Sequence, residues 1–311
     1  MEGITGYIYR NALHDFFGEG IQKYFTPFLV VHEKRAMSNK EINEILPENN
    51  KGINLVPQIL ADDADGFSRI DHALFEMGYR EVNLNLGCPS RTVASKGRGS
   101  GFLSRVTALD EFLYSVYENR KCEISIKTRI GEKSTDEFDE LMDIFNKYPV
   151  SELIIHPRIR YEYYKGKPHR DVFFKGVAES VNPVCYNGDV GSQADVDEIL
   201  AGCKGINVGN DKVTSIMIGR GMIRNPALIR TLTGGQPYTR EELKGFLTRL
   251  RLDYTGLFSG ETPVLQKMKE VWGYMAGDFA GEQGDVRALL KCRSLAEYKM
   301  LESKLLNMLK Y

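Results

Sequence analysis

The chain has 311 residues, 42% of them hydrophobic and 27% charged, with a formal net charge of −1. This composition excludes a disordered or fibrous chain and suits either two domains or one α/β barrel of about 250 residues with an appendage. The near-neutral charge points to no polyanionic partner unless a local patch supplies one.

A helix is predicted over Tyr7–Phe17. Strands and helices then alternate. Strand Pro27–Val31 precedes helix Lys40–Leu46, Asn54–Leu60 precedes Asp63–Met77, and Glu81–Leu86 precedes Ala108–Asn119. Glu123–Thr128 precedes Asp136–Lys147, Glu152–His156 precedes Asp171–Glu179, and Pro183–Asn187 precedes Gln193–Ala201. A last strand, Ser215–Ile218, follows a polar insertion, Lys204–Thr214, to which the sequence assigns no role. Such alternation predicts a parallel sheet, and strands that are continuous apolar runs predict that both faces are covered. After Ile229 the alternation stops. Thr233–Pro237 reads as a linker, and helices are predicted over Arg240–Leu257, Val264–Met275, Gly284–Cys292 and Ser294–Leu309.

Seven strands are one short of a (β/α)8 barrel. Polar, chemically capable residues nevertheless sit at or just past the C-terminal end of nearly every strand: Gln58, Asn85 with Cys88, Lys127 with Arg129, His156 with Arg158, Asn187 with Asp189, and Gly219 with Arg220. A barrel draws its active site from several strands on that face, whereas a doubly wound open sheet gathers it at one switch point. The expected fold is therefore a TIM (β/α)8-type barrel over residues 1–232, lacking its first strand, with an all-helical domain over residues 238–311.

No apolar run approaches the roughly 18 residues of a membrane helix. The opening Met1-Glu2-Gly3-Ile4-Thr5-Gly6 lacks the basic-then-apolar pattern of a secretory leader. A cytoplasmic protein is expected. The five cysteines, Cys88, Cys122, Cys185, Cys203 and Cys292, are odd in number, widely spaced and without a CxxC pair. That argues against a disulfide framework or a structural zinc site, and no metal is expected.

Asn85-Leu-Gly-Cys88-Pro89-Ser90 is the sharpest motif. A strand ends, Gly87 permits a tight turn, and Pro89 fixes the backbone after Cys88. The thiol can be a buried apolar filler, a nucleophile as thiolate, or a proton donor, since a thiol of ordinary pKa is mostly protonated at neutral pH. Lys96-Gly-Arg-Gly-Ser-Gly101 is a weak phosphate signal that turn chemistry also explains. Asn187-Gly188-Asp189 and Gly219-Arg220-Gly221 follow the last two strands, where barrels often bind a phosphate. Tight turns are the plainer alternative. Lys127, if aimed inward, can contact a flavin or phosphate; His156 reads equally as a hydrogen-bonded core residue. Residues 157–170 hold five Lys or Arg, one acid and three tyrosines. Bases stack on aromatics and phosphates pair with cations, so this stretch reads as an RNA-facing loop or as an ordinary solvated one.

Taken together and in this order, Asn85–Ser90, Lys96–Leu103, Lys127–Arg129, His156–Arg158, Asn187–Asp189 and Met217–Gly221 resemble the bacterial-type tRNA-dihydrouridine synthase family, from Met1 to about Ile229. The resemblance implies an FMN-binding barrel and a helical tRNA-binding domain. It also implies NADPH-driven reduction of the uracil 5,6 double bond in the tRNA D-loop. By resemblance, Gln58, Lys127 and His156 contact the flavin ring or ribityl chain. Asn187, Gly188, Asp189, Gly219 and Arg220 surround the ribityl-phosphate end. Asn85 and Arg158 lie near the uracil, and Cys88 protonates C5 as general acid. Arg129, Arg160, Tyr164 and Lys165 join the tRNA-facing set, and a monomer is expected. Family members usually begin with a short strand ending in Ala-Pro-Met. This chain opens at what resembles that methionine, which agrees with the count of seven strands. Two rival readings are an FMN barrel acting on a free pyrimidine, as a dihydroorotate dehydrogenase relative does, and a truncated tRNA-binding protein without catalysis.

Overall fold

The computed structural model describes residues 1–32, 35–204, 213–277, 279 and 283–309. Most of the polar insertion expected at Lys204–Thr214 lies outside the described residues. Contacts group the chain into two compact units. One holds Phe25–Asn49 and Leu55–Ile218; the other holds Met1–Tyr24, Asn50–Asn54 and Gly219–Tyr311.

The first unit carries a seven-stranded sheet: β1 (Tyr24–Val30), β2 (Leu55–Leu60), β3 (Glu81–Leu86), β4 (Glu123–Arg129), β5 (Leu153–His156), β6 (Val184–Asn187) and β7 (Val213–Met217). The strands lie side by side in chain order, and every adjacent pair from β2 to β7 is parallel. A doubly wound sheet reverses its order at a switch point, and this one does not. The fold is the expected TIM-barrel type, with seven strands. Between the strands run α2 (Asn39–Ile45), α3 (Ala64–Glu76), α4 (Arg91–Ala94), α5 (Val106–Asn119), α6 (Glu137–Phe145), α7 (Arg170–Glu179) and α8 (Gln193–Cys203).

Register divides the sheet chemically, because paired residues share a face and the face alternates along each strand. Pairing of Gln58 with Asn83, Asn85 with Lys127, and Arg129 with His156 puts Gln58, Asn83, Asn85, Ser125, Lys127, Arg129 and His156 on one face. Cys185, paired with Ile154, joins that face, and Asn187 follows two residues on. The other face carries Val82, Leu84, Leu86, Ile124, Ile126, Leu153, Ile155 and Val184, all buried. It faces helices with matching apolar stripes: Phe67, Ile70 and Leu74 on α3, Leu109, Phe112, Leu113 and Val116 on α5, and Phe138, Leu141, Met142 and Phe145 on α6. Each such side chain contributes about 1.5–3 kcal/mol on burial. Asp63 caps α3 by accepting from the Gly66 N–H, and a Cβ on Gly66 would collide with Val31, so glycine here sets how closely the helix approaches.

The second unit is helical: α1 (Tyr7–Phe17), α9 (Arg220–Arg224), α10 (Leu228–Leu232), α11 (Arg240–Leu257), α12 (Glu261–Met275), α13 (Gln283–Lys291) and α14 (Leu295–Asn307). Tyr9, Phe16 and Phe17 of α1 meet Phe246 of α11 edge-on. Buried Trp272 donates to the Tyr298 hydroxyl (2.8 Å), which donates to Glu302 (2.5 Å). Burial raises the Glu302 pKa despite that bond. Among the described residues no helix is long and apolar enough to cross a membrane.

Candidate active site

The Cys88 turn leaves the C-terminal end of β3 fully bonded. The Asn85 side-chain oxygen accepts from the N–H groups of Gly87 (3.1 Å) and Cys88 (2.9 Å). Arg129 Nε donates to the Gly87 carbonyl (3.0 Å). Ser100 donates to the Cys88 carbonyl from both its hydroxyl (2.8 Å) and its N–H (3.1 Å). Ser100 belongs to the glycine-rich stretch Lys96–Gly101, which packs on this turn. Gly99 has φ +56°, and a Cβ there would lie 2.9 Å from the Cys88 carbonyl oxygen. Close packing against Cys88 thus accounts for glycine at that position. None of the five cysteines is disulfide-bonded. Burial pushes the thiols of Cys122 and Cys185 up to about 12 and also raises Cys203 and Cys292, which makes these four poor thiolates near neutrality.

Beneath the turn, a run of side-chain hydrogen bonds crosses three strands. Asn85 donates to the Gln58 oxygen (2.6 Å), Gln58 donates to Asn83 (2.8 Å), and Asn83 donates to Ser125 (3.0 Å). The Gln58 backbone N–H donates to the Thr26 hydroxyl (2.9 Å). Barrel interiors are usually filled by branched apolar side chains; here the floor is amide and hydroxyl, each satisfied by a neighbour. Lys127 stands on the same face, half-buried, with no hydrogen-bond or ion-pair partner among the described residues. Burial lowers its pKa to about 8. Arg129 pushes it the same way, while Cys185 and Cys88 oppose.

His156, at the end of β5, is buried. Its Nε2 lies 3.1 Å from Arg158 Nη1. A guanidinium only donates, so Nε2 accepts and the ring carries its proton on Nδ1. Tyr164 stacks on the imidazole at 6.0 Å and lies over the Arg129 guanidinium at 5.5 Å. Arg129 and Arg158, expected beside the uracil or tRNA, are themselves fully buried and hold the loop 157–170. Arg129 donates to the carbonyls of Ile159 (2.9 Å) and Tyr163 (2.7 Å). Arg158 donates to those of Lys165 (3.1 Å) and Gly166 (2.6 Å) and to Asp189 (2.5 Å). Arg160 pairs with Glu132, and Arg170 with Asp195 and Glu198. Burial lowers the Arg129 pKa to about 10, against the opposing pull of Tyr164. Tyr163 has φ +53°, the one positive value at a non-glycine residue among those described. The outer surface of the loop is left to Tyr161, Tyr163, Tyr164, Lys165 and Lys167, all exposed.

After β6, Asn187 donates to the Met217 carbonyl (2.8 Å), and a Cβ on Gly188 would collide with the Tyr186 ring. Asp189 is held by Arg158. Gly219 and Arg220 open α9 and belong to the helical unit. Among the described residues, a Cβ on Gly219 would meet only the Met1 sulfur, at 3.9 Å. The structure thus brings Gln58, Asn85, Cys88, Lys127 and His156 onto one polar face. It also reveals Asn83, Ser100 and Ser125, which the sequence did not single out. Ser100 was visible only as part of the glycine-rich motif, and the other two are ordinary strand residues until register aligns them. Among the described residues no cluster of His, Cys, Asp or Glu is placed to hold a metal.

Three comparisons bear on this arrangement. The family model described as dihydrouridine synthase (Dus) matches residues 1–284. The chain is 28% identical over 268 residues to a probable tRNA-dihydrouridine synthase 2 of Bacillus subtilis (strain 168), covering 84% of this chain and 78% of that protein. It is 30% identical over 235 residues to a probable tRNA-dihydrouridine synthase of Staphylococcus epidermidis, covering 73% of this chain and 68% of the other. Among solved structures, histamine dehydrogenase from Rhizobium sp. 4-9 is similar in fold, with a TM-score of 0.54 at 12% identity, covering 79% of this chain and 47% of that one. The chain spans about half the length of that solved protein, and the likeness is one of fold.

Proposed function

The chain belongs to the dihydrouridine synthase family, and from that premise we propose that it reduces the 5,6 double bond of a D-loop uridine in tRNA. FMN would be its bound carrier and NADPH its reductant. The observation that carries this reading is Lys127, a half-buried ammonium with no hydrogen-bond or ion-pair partner among the described residues, paired in register with Asn85, whose side chain holds the Cys88 turn. A flavin ring, which gains negative charge on reduction, suits such a cation. His156 and the amide floor of Gln58 would supply further polar contacts for it, and Asn187, Gly188 and Asp189, past the end of β6, are the residues of this unit proposed for its phosphate end. These residues fit the group.

When bound, FMN supplies the hydride that reaches C6 of the uracil. Cys88 delivers the proton to C5 as general acid. Asn85 acts through the turn, by holding the Gly87 and Cys88 amides. Lys127 would hold positive charge toward the flavin, and His156 and Gln58 would add polar contacts to it. The target base must leave its stack to reach this face. Tyr164 and Lys165, with neighbouring Tyr161 and Lys167, would hold the unstacked D-loop. Arg129, Arg158 and Arg160 would keep that loop in shape. We place the flavin chemistry in residues 1–232 and tRNA holding in residues 238–311 and the loop 157–170, with the cytoplasmic monomer as the working form.

The test uses the purified full chain. Flavin absorbance, and NADPH-dependent dihydrouridine in unmodified tRNA, are expected. Cys88→Ala should keep the flavin and lose at least a hundredfold in dihydrouridine formation, the usual scale for a general acid. Full turnover in that variant would remove Cys88 from the mechanism, and activity surviving ribonuclease treatment of the substrate would favour a free pyrimidine instead.

A further inference from the structure

All four backbone polar groups of Gly87 and Cys88 are engaged by side chains from three places in the fold: Asn85 on both N–H groups, Arg129 on the Gly87 carbonyl, and Ser100 on the Cys88 carbonyl. A turn bonded at every polar group has little freedom to move, so the thiol it carries is preorganised. Arg129 differs from the other two. Its Nη1 and Nη2 donate to the carbonyls of Ile159 and Tyr163, and its guanidinium lies under Tyr164. One fully buried planar group therefore bridges the Cys88 turn and the tyrosine-bearing loop. The loop end of this bridge is strained, because Tyr163 sits at a positive φ, a region that residues bearing a side chain disfavour.

Resting on the function proposed above, we propose that Arg129, with Ser100, is a positioning residue for Cys88, and that Arg129 ties the placement of the thiol to the loop carrying Tyr163 and Tyr164. RNA seated on that loop bears on Tyr163 and Tyr164, and so on the carbonyl and ring that Arg129 touches. Its Nε then sets the Gly87 carbonyl and the thiol one residue on. The guanidinium is needed as a fork. A lysine keeps the charge but cannot donate to three carbonyls in fixed directions.

The test is single-turnover kinetics of the flavin-loaded full chain at saturating unmodified tRNA, with flavin reduction by NADPH followed separately. Arg129→Lys should slow dihydrouridine formation at least tenfold, leave flavin reduction within twofold, and keep the midpoint of the pH profile, since the cation remains. Dihydrouridine formation within twofold of the wild type, or an equal fall in both half-reactions, would overturn the proposal. Should Arg129→Lys fail to fold, Ser100→Ala takes its place. A fall of about fivefold confined to the RNA half-reaction supports the clamp, and no fall overturns it. A second readout needs no turnover: iodoacetamide should label Cys88 about fivefold faster in Arg129→Lys than in the wild type, and an unchanged rate counts against the clamp. If the wild type forms no dihydrouridine, the function proposed above is what fails, and the labelling still decides whether Arg129 holds the turn.

Discussion

At the scale of single residues, Lys127 is where stability and the proposed flavin contact oppose each other. Its folded-state pKa, about 8, lies below the ordinary lysine value of 10.5. Below pH 8 both folded and unfolded chains carry the proton, and the folded chain bears the full cost of burying the charge. Between about pH 8 and 10.5 the unfolded chain binds more protons, so this group makes stability rise with pH there. In the ligand-free chain Lys127→Met should therefore be more stable at pH 7, by on the order of 1–2 kcal/mol once partial exposure is discounted. That advantage should shrink by pH 9.5. The same variant should hold flavin more weakly. Urea unfolding of both chains at the two pH values checks the sign; an advantage independent of pH would mean that packing, not desolvation, sets it. The places of Cys88, Lys127 and His156 at or just past strand ends were legible in the sequence because each ends or follows an apolar run. The parts played by Arg129 and Arg158 were not, because a guanidinium reads as a surface cation until the carbonyls around it are known. Asn83 and Ser125 became visible only through register, which no local pattern encodes.

At the scale of elements, the long helices were legible and the short ones were not. Arg240–Leu257 was predicted with the bounds that α11 has, since five turns give the periodicity room to repeat. Four- and five-residue helices such as α4, α9 and α10 bury one or two side chains each and leave no period to read. The start of α11 also carried a readable signal: Thr239 and Glu242 form a capping box. Glu242 additionally accepts from Arg230 of α10, and that bond is the largest cause of its lowered pKa, with burial opposing. A depressed carboxylate contributes stability that is present above its unfolded pKa and is lost as pH falls through the folded value. Thr239→Ala should cost about 1 kcal/mol at neutral pH. Glu242→Gln should remove the part that a pH titration below about 4.5 would otherwise erase. Thermal unfolding at pH 7 and pH 4 measures both, and a Glu242→Gln penalty as large at pH 4 as at pH 7 would assign the contribution to hydrogen bonding alone.

At the scale of the whole molecule, a net charge of −1 gives no general attraction for a polyanion. RNA affinity must come from local placement, and the loop 157–170 shows how few of its cations are available. Arg158 is buried, while Arg160 and Arg170 are taken by acids, which leaves Lys165 and Lys167 with the exposed rings of Tyr161, Tyr163 and Tyr164. Composition counted five cations there; packing turns three of them into supports for the other two. Two phosphate contacts contribute a slope of about −1.5 in a plot of log affinity against log salt, whereas base stacking contributes about 1–3 kcal/mol per ring with little salt dependence. Replacing Lys165 and Lys167 together by alanine should therefore weaken binding of unmodified tRNA and flatten the salt plot by about that amount. Tyr161→Ala should weaken binding about tenfold or more without changing the slope. Titrations from low to moderate salt separate the two effects. An unchanged slope in the double lysine variant, with wild-type affinity in Tyr161→Ala, would move the RNA contact off this loop and leave the helices after Thr239 to hold the tRNA alone.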